Sequence, residues 1–215
     1  MPTLPPITIE RRFIPLDAGA ELRAEGDGAL PRLAGVACPY GSLSVELWRD
    51  WETGKPIFER FAAGAFTEAL RDSPDVIVPR DHDPGRLLGR TSSGTASVFE
   101  TARGLEYWVD PPDTEEGRSL VVLVRRKDVR GSSFAFIPAT VDWTEEETRI
   151  LRTVRKVKAL YDVSPVTNPA YPESTATMSR SADDVQAELK LWRQGGVAWR
   201  NALRERETQI AELGL

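Results

Sequence analysis

Near the start of the chain, Ile7, Ile9, Arg11 and Phe13 recur at every second position, the period of a strand with one covered face, and the prolines before them place it at a sheet edge. Ala18 to Pro31 is Gly, Ala and charge without a period, and reads as a loop. Leu33 to Cys38 and Ile57 to Phe61 are apolar runs of strand length bounded by Pro and Gly. Ala65 to Arg71 carries helix formers and must stop before Pro74. Asp113 and Glu116, three apart, precede Leu120, Val121, Leu123 and Val124 and predict a boxed helix N-terminus; Arg125, Arg126 and Lys127 suit the C-terminal end of its dipole. Ser132 to Val141 and Thr148 to Val157 favour strands, and the acidic stretch Thr144 to Glu147 between them predicts a hairpin. Strands mixed with short helices give the class α+β, drawn as a mostly antiparallel β-barrel core with the helices packed on it.

After Pro172 the pattern changes. The chain divides into a domain over 1–172, a Ser/Thr-rich linker over 173–182 and an amphipathic helical tail over 183–215. In the tail, Val185, Leu189, Trp192, Gly196, Trp199, Leu203, Arg206, Ile210 and Leu213 step by four and three, and seven of these nine are apolar. Gly195 and Gly196 interrupt that seam at a cost of about 1 kcal/mol each relative to alanine, so two short helices compete with one. The seam either packs on the preceding domain or docks on another protein or a second copy. The tail is expected to be dispensable for folding of the domain.

Composition narrows the function. With 33 acidic and 28 basic residues and a net charge of -5, the chain offers no basic footprint for a polyanion, which excludes nucleic acid as the expected partner. Of 215 residues, 40% are hydrophobic, enough for an ordinary core, yet no apolar run approaches the roughly 20 residues that span a bilayer. One cysteine, Cys38, and one histidine, His82, can build neither a disulfide framework nor a His/Cys zinc site, so no metal or other cofactor is expected. The start of the chain lacks a basic region leading into a hydrophobic stretch, and cytosolic folding fits best.

The remaining chemistry is nucleophilic. His82 stands in VPRDHDPGRLLGR, and GSSFAF, Gly131 to Phe136, carries two serines into a strand-like run. Alternation puts Phe134 and Phe136 on one face and Ser133 beside the small Ala135 on the other. A serine hydroxyl is a weak nucleophile and needs a base within about 3 Å; His82 is the only imidazole. Local chemistry leaves Ser132 as a rival. For the third member, Asp81 and Asp83 flank the histidine, while Asp162 is the only acid between Glu147 and Glu173, in a basic and apolar stretch where an unpaired carboxylate would be costly to bury. Arg86, Arg90 and the turn from Pro165 to Asn168 are candidate oxyanion donors, although backbone amides serve equally well. Gly85, Gly89 and Gly94 fit no phosphate-binding pattern and read as turn residues; the NPAYP segment reads as structural, with Tyr171 packing there.

The blocks AGVACPYGSLS, FAAGAF, DHDPGRLLGRT, PPDTEEGRSLVVLVRRKDVRGSSFAF and YDVSPVTNPAYP follow one another between about Leu33 and Pro172. In order and spacing they resemble the prohead serine proteases of tailed bacteriophages, the Hong Kong 97-like capsid-maturation family, distantly related to herpesvirus assemblin. The resemblance implies a herpesvirus-protease-like core. It puts the base at His82 of the His-Asp pair, the nucleophile at Ser133, the serine before Phe, and the acid before Val-Ser at Asp162. The chain departs from the pattern at Arg80-Asp81, where asparagine is commoner before the histidine, and at Ala135, where glycine is frequent. The assemblin relatives use a second histidine as third member; with His82 alone, a carboxylate must serve. The implied activity is a serine endopeptidase acting inside assembling proheads in the host cytoplasm on scaffold or major capsid protein, and on its own linker. Two other readings compete: an assembly factor that keeps the fold without proteolysis and binds scaffold through its tail, and a small-molecule ester or amide hydrolase. The latter lacks a Gly-x-Ser-x-Gly elbow.

Overall fold

The computed structural model describes residues 4–5, 7–14, 21–25, 30–72, 75–129, 131–167 and 182–212. Strands β1 (Glu10–Ile14), β2 (Glu21–Glu25), β3 (Arg32–Pro39), β4 (Trp48–Arg49) and β5 (Pro56–Phe61) precede helix α1 (Thr67–Asp72). Then come β6 (Ile77–Pro79), β7 (Leu87–Arg90), β8 (Ala96–Glu100), β9 (Gly104–Val109) and helix α2 (Glu115–Arg125). A long hairpin, β10 (Gly131–Glu145) and β11 (Ile150–Val166), leads to helices α3 (Ala182–Gln194) and α4 (Gly196–Glu212). The larger sheet runs β1-β10-β11-β5-β4, with β6 on β11 and β7 on β6; the smaller runs β2-β3-β9-β8. Among the described residues no helix is long and apolar enough to cross a membrane.

The α+β class and the hairpin are as the pattern predicts, with strands longer than the sequence delimits. The barrel is not: among the described residues neither sheet closes, the larger ending at β1 and β4 and the smaller at β2 and β8. The two sheets instead cover one hydrophobic cluster, to which the smaller contributes Leu33, Leu105 and Tyr107 and the larger Phe61, Phe134 and Phe136. The sheet is also less purely antiparallel than expected, because β11 runs parallel to both β5 and β6. Register slips along the hairpin, from Ala135/Phe136 to Thr140/Val141 around Pro138, which has no amide to donate, add local twist.

Three local expectations change. Within the expected loop, β2 forms on the edge of β3, since backbone pairing from Glu21↔Val36 to Glu25↔Arg32 needs no apolar pattern. The cap of α2 is Thr114, whose hydroxyl accepts from the Gly117 amide at 3.3 Å; Asp113 pairs with Arg118, and Glu116 is used elsewhere. On the edge strand β1 the covered positions are the charged Glu10 and Arg12, whereas Ile9 just before it is 38% exposed.

The tail packs on the sheets. Val185 and Leu189 belong to the common core, Trp143 Nε1 donates to Glu188 at 3.0 Å, and Arg193 bridges Asp50 at 2.8 Å and Glu145 at 3.0 Å. Gly195 and Gly196, both left-handed at φ 62 and 65, divide it into two helices. Apart from Ala182, the linker lies outside the described residues, as do Asn168, the NPAYP prolines, Tyr171 and Leu213.

Candidate active site

The β10-β11 hairpin builds the platform. Its register sets Ser133 opposite Ser164 and Ala135 opposite Asp162. Phe134 and Phe136, pointing the other way, are fully buried and lock the strand through Phe61, at ring centroid distances of 5.3 and 5.2 Å. Parallel pairing of Ile77 with Asp162 lays β6 beside β11, so the turn that follows β6 carries His82 over the free face. There His82 Nε2 lies 2.6 Å from Ser133 Oγ and Nδ1 lies 2.6 Å from Asp162 Oδ1. Three segments far apart in sequence therefore meet in one hydrogen-bonded line. Ser133 is only 5% exposed, and its hydroxyl also lies 2.9 Å from the carbonyl oxygen of Arg12 on β1. Ser164, buried on the same face as Asp162, donates to Oδ1 at 2.9 Å and lies 3.3 Å from His82 Nδ1.

The rivals are engaged elsewhere. Ser132 is fully buried and shares a 2.8 Å hydrogen bond with Tyr107, whose phenol burial pushes upward while the Ser132 bond opposes. Asp83 accepts from the Gly85 amide at 2.9 Å, capping the short turn after the histidine. Asp81 accepts from Arg86 Nη1 at 3.0 Å and from the Thr167 amide at 3.1 Å. Arg155, a basic residue of the same strand as Asp162, binds Asp142 at 2.7 Å. Two of the candidate oxyanion donors are also committed: Arg86 to Asp81 and Glu116, and Arg90 to Asp75. Of the Pro165–Asn168 turn, the Thr167 amide is taken by Asp81, and Asn168 lies outside the described residues.

The histidine turn is strained and braced. Asp81 and His82 are consecutive non-glycine residues in the left-handed region, at φ 53 and 59, a conformation that costs on the order of 1–2 kcal/mol per residue. Glu116, from the first turn of α2, accepts from Arg80 Nη1 at 3.0 Å and Arg86 Nη2 at 2.9 Å. Burial works against its charge, but Arg86 and Arg80 hold the carboxyl below its ordinary range.

Sequence reasoning missed Ser164, Glu116 and the Arg12 carbonyl. The spacing of Ser164, two residues after Asp162 on a strand, was a usable signal for a shared face. No signal in the sequence points to a backbone carbonyl. Among the described residues, no three of His, Cys, Asp and Glu gather as a metal ion would need.

A sequence model for the caudovirus prohead serine protease matches residues 20–188. Among solved structures, the bacteriophage T4 capsid assembly protease gp21 is similar over 76% of this chain and 98% of its own, at 12% sequence identity and a TM-score of 0.40. No curated protein matches.

Proposed function

The chain belongs to the caudovirus prohead serine protease family, and on that footing we propose that it is an endopeptidase in which Ser133, His82 and Asp162 carry the chemistry. The observation that carries this reading is the convergence of the three side chains at 2.6 Å on each side of the imidazole. Ser133 Oγ attacks the peptide carbonyl while His82 Nε2 takes its proton; the C–N bond breaks as the imidazolium returns that proton to the leaving amine. Water then attacks the acyl-serine ester with His82 again as base, regenerating the hydroxyl. Asp162 accepts the Nδ1 proton, fixes the tautomer and stabilises the imidazolium.

The substrates are scaffold or capsid-protein extensions, cleaved inside the assembling prohead, and the chain's own segment between β11 and α3 is a further one. Family membership and the assembled site together favour proteolysis over an assembly factor without chemistry. Intact mass spectrometry of concentrated protein over time, beside Ser133→Ala, tests the reading without a known substrate. Fragments from the wild type alone support it; identical fragments in both identify a contaminating protease and remove Ser133 as the cause. Rapid, Ser133-dependent labelling by a fluorophosphonate, which phosphonylates activated serines, tests the nucleophile directly.

A further inference from the structure

The two residues that precede and form the base are held in a conformation their side chains disfavour, and the groups that hold them converge on one carboxylate outside the catalytic line. Arg80 and Arg86 bracket the turn, one before and one after His82, and both donate to Glu116 Oε1 at 3.0 and 2.9 Å. Arg86 meets Asp81 Oδ2 with its other terminal nitrogen at 3.0 Å, and Asp81 Oδ1 takes the Thr167 amide at the end of β11. Glu116 is thus tied to the turn on both sides of the histidine, and through Asp81 the turn is tied to the strand that carries Asp162. Relaxation of the left-handed pair would swing the imidazole off that strand, since φ at His82 itself sets where its side chain points.

The geometry points to Glu116 as a positioning residue for the proteolytic reaction: it clamps Arg80 and Arg86 across the strained Asp81–His82 turn and so holds the imidazole over both Ser133 and Asp162. This inference rests on the protease reading for its consequence in rate, but its structural half can be read alone. Glu116 hydrogen-bonds to Arg80 and Arg86 and to neither Ser133 nor the His82 ring, so its contribution is to place the base. Its own side chain is one-third exposed, which leaves room for substitution.

The comparison is wild type, Glu116→Gln and Glu115→Gln; the last removes the same charge from the same helical turn. Two readouts apply: the rate of Ser133 labelling by a fluorophosphonate, resolved into maximal rate and half-saturating concentration, and the NMR signals of the imidazole, unambiguous because the chain has one histidine. Glu116→Gln is expected to lower the maximal rate about 10- to 100-fold, the scale on which small misplacement of a reacting group acts, with half-saturation unchanged. Its His82 ring signals shift or broaden, and Glu115→Gln matches wild type in both. Wild-type rate and ring signals in Glu116→Gln overturn the proposal, as does an equal loss in Glu115→Gln, which reduces the effect to a general field. If Glu116→Gln does not fold by circular dichroism, Arg86→Lys replaces it under the same criteria, since a lysine cannot span Asp81 and Glu116 together. Wild type that fails to label counts against Ser133 as nucleophile, whereas the ring signals still decide whether Glu116 places the imidazole.

Discussion

The Ser133 hydroxyl has one proton and two acceptors in reach, His82 Nε2 at 2.6 Å and the Arg12 carbonyl at 2.9 Å. In the proposed reaction only the first leads to attack, so activation would depend on an imidazole whose Nε2 lone pair faces the serine, the tautomer that Asp162 would stabilise by accepting from Nδ1. Ser133→Ala and His82→Ala are therefore expected to abolish fluorophosphonate labelling with the fold unchanged by circular dichroism. Asp162→Asn should slow labelling less than loss of the base, and a larger loss in Asp83→Asn would make the assignment of the acid wrong; Asp81→Asn is no such test, because Asp81 also braces the histidine turn through Arg86 and the Thr167 amide. Ser132→Ala should label like wild type, because Ser132 faces Tyr107; loss of labelling there would transfer the nucleophile. His82 stood out in the sequence as the one histidine and Asp162 as the one acid in a basic stretch, whereas local chemistry left Ser132 beside Ser133 and only the family resemblance chose between them. Glu116 was misread. Three residues after Asp113, ahead of an apolar run, it has the spacing of a capping box, and only tertiary structure shows Thr114 capping the helix and the carboxylate turned toward Arg80 and Arg86.

At the scale of elements, short apolar runs located β3 and β5 and strand-favouring residues the β10-β11 hairpin, because those strands bury apolar side chains, while β2 escaped detection because an edge strand can be held by backbone bonds alone. The tail's heptad positions were legible as a seam; the surface it covers was not, since spacing shows which face is apolar without naming its partner. Val185 and Leu189 in the common core argue against the expectation that the tail is dispensable. A chain ended after residue 181 should unfold at lower urea than the full chain or aggregate, and an unchanged midpoint would restore that expectation. The same helix predicts a pH effect. Burial alone would push the Asp50 carboxyl up, but hydrogen bonds from Arg193 and Thr53 hold it at about 2, below the ordinary 3.8. A group depressed on folding stabilises the folded state above its unfolded pKa and loses that contribution as pH falls through the folded one, here between about 4 and 2. Arg193→Met should move the acid-unfolding midpoint, followed by circular dichroism, to higher pH; an unmoved midpoint would mean that this pairing contributes nothing.

Across the whole molecule, the beginning, middle and end of the chain meet in one buried set of charges. Glu10 and Arg12 from β1, Glu59 from β5, Arg152 from β11, Glu188 from α3 and Arg206 from α4 are each at most 5% exposed, and three acids balance three bases. Arg12 Nε donates to Glu59 at 2.6 Å, Arg152 donates to Glu10 at 3.0 Å, and Arg206 donates to Glu188 at 3.3 Å. Burial would strip Arg152 of its charge, but Glu10 and Glu59 hold its proton more tightly than in water. Such a set is costly to desolvate and tolerates loss of a matched pair better than loss of one member, because a lone deletion leaves an uncompensated buried charge. Glu188→Leu should therefore cost about 3–5 kcal/mol in urea unfolding, since Arg206 loses one of its partners, Arg152 a counter-charge at 4.0 Å, and Trp143 Nε1 its acceptor. Adding Arg206→Leu should recover part of that loss, leaving mainly the Trp143 hydrogen bond, on the order of 1–3 kcal/mol. A double variant less stable than the single would show that Arg206 acts through its own packing and not through Glu188. Recovery would make the cluster a charge-balanced clasp joining the first strand to the last two helices. Because the Arg12 carbonyl also accepts from the Ser133 hydroxyl, that clasp would hold the strand bordering Ser133 as well as the ends of the chain.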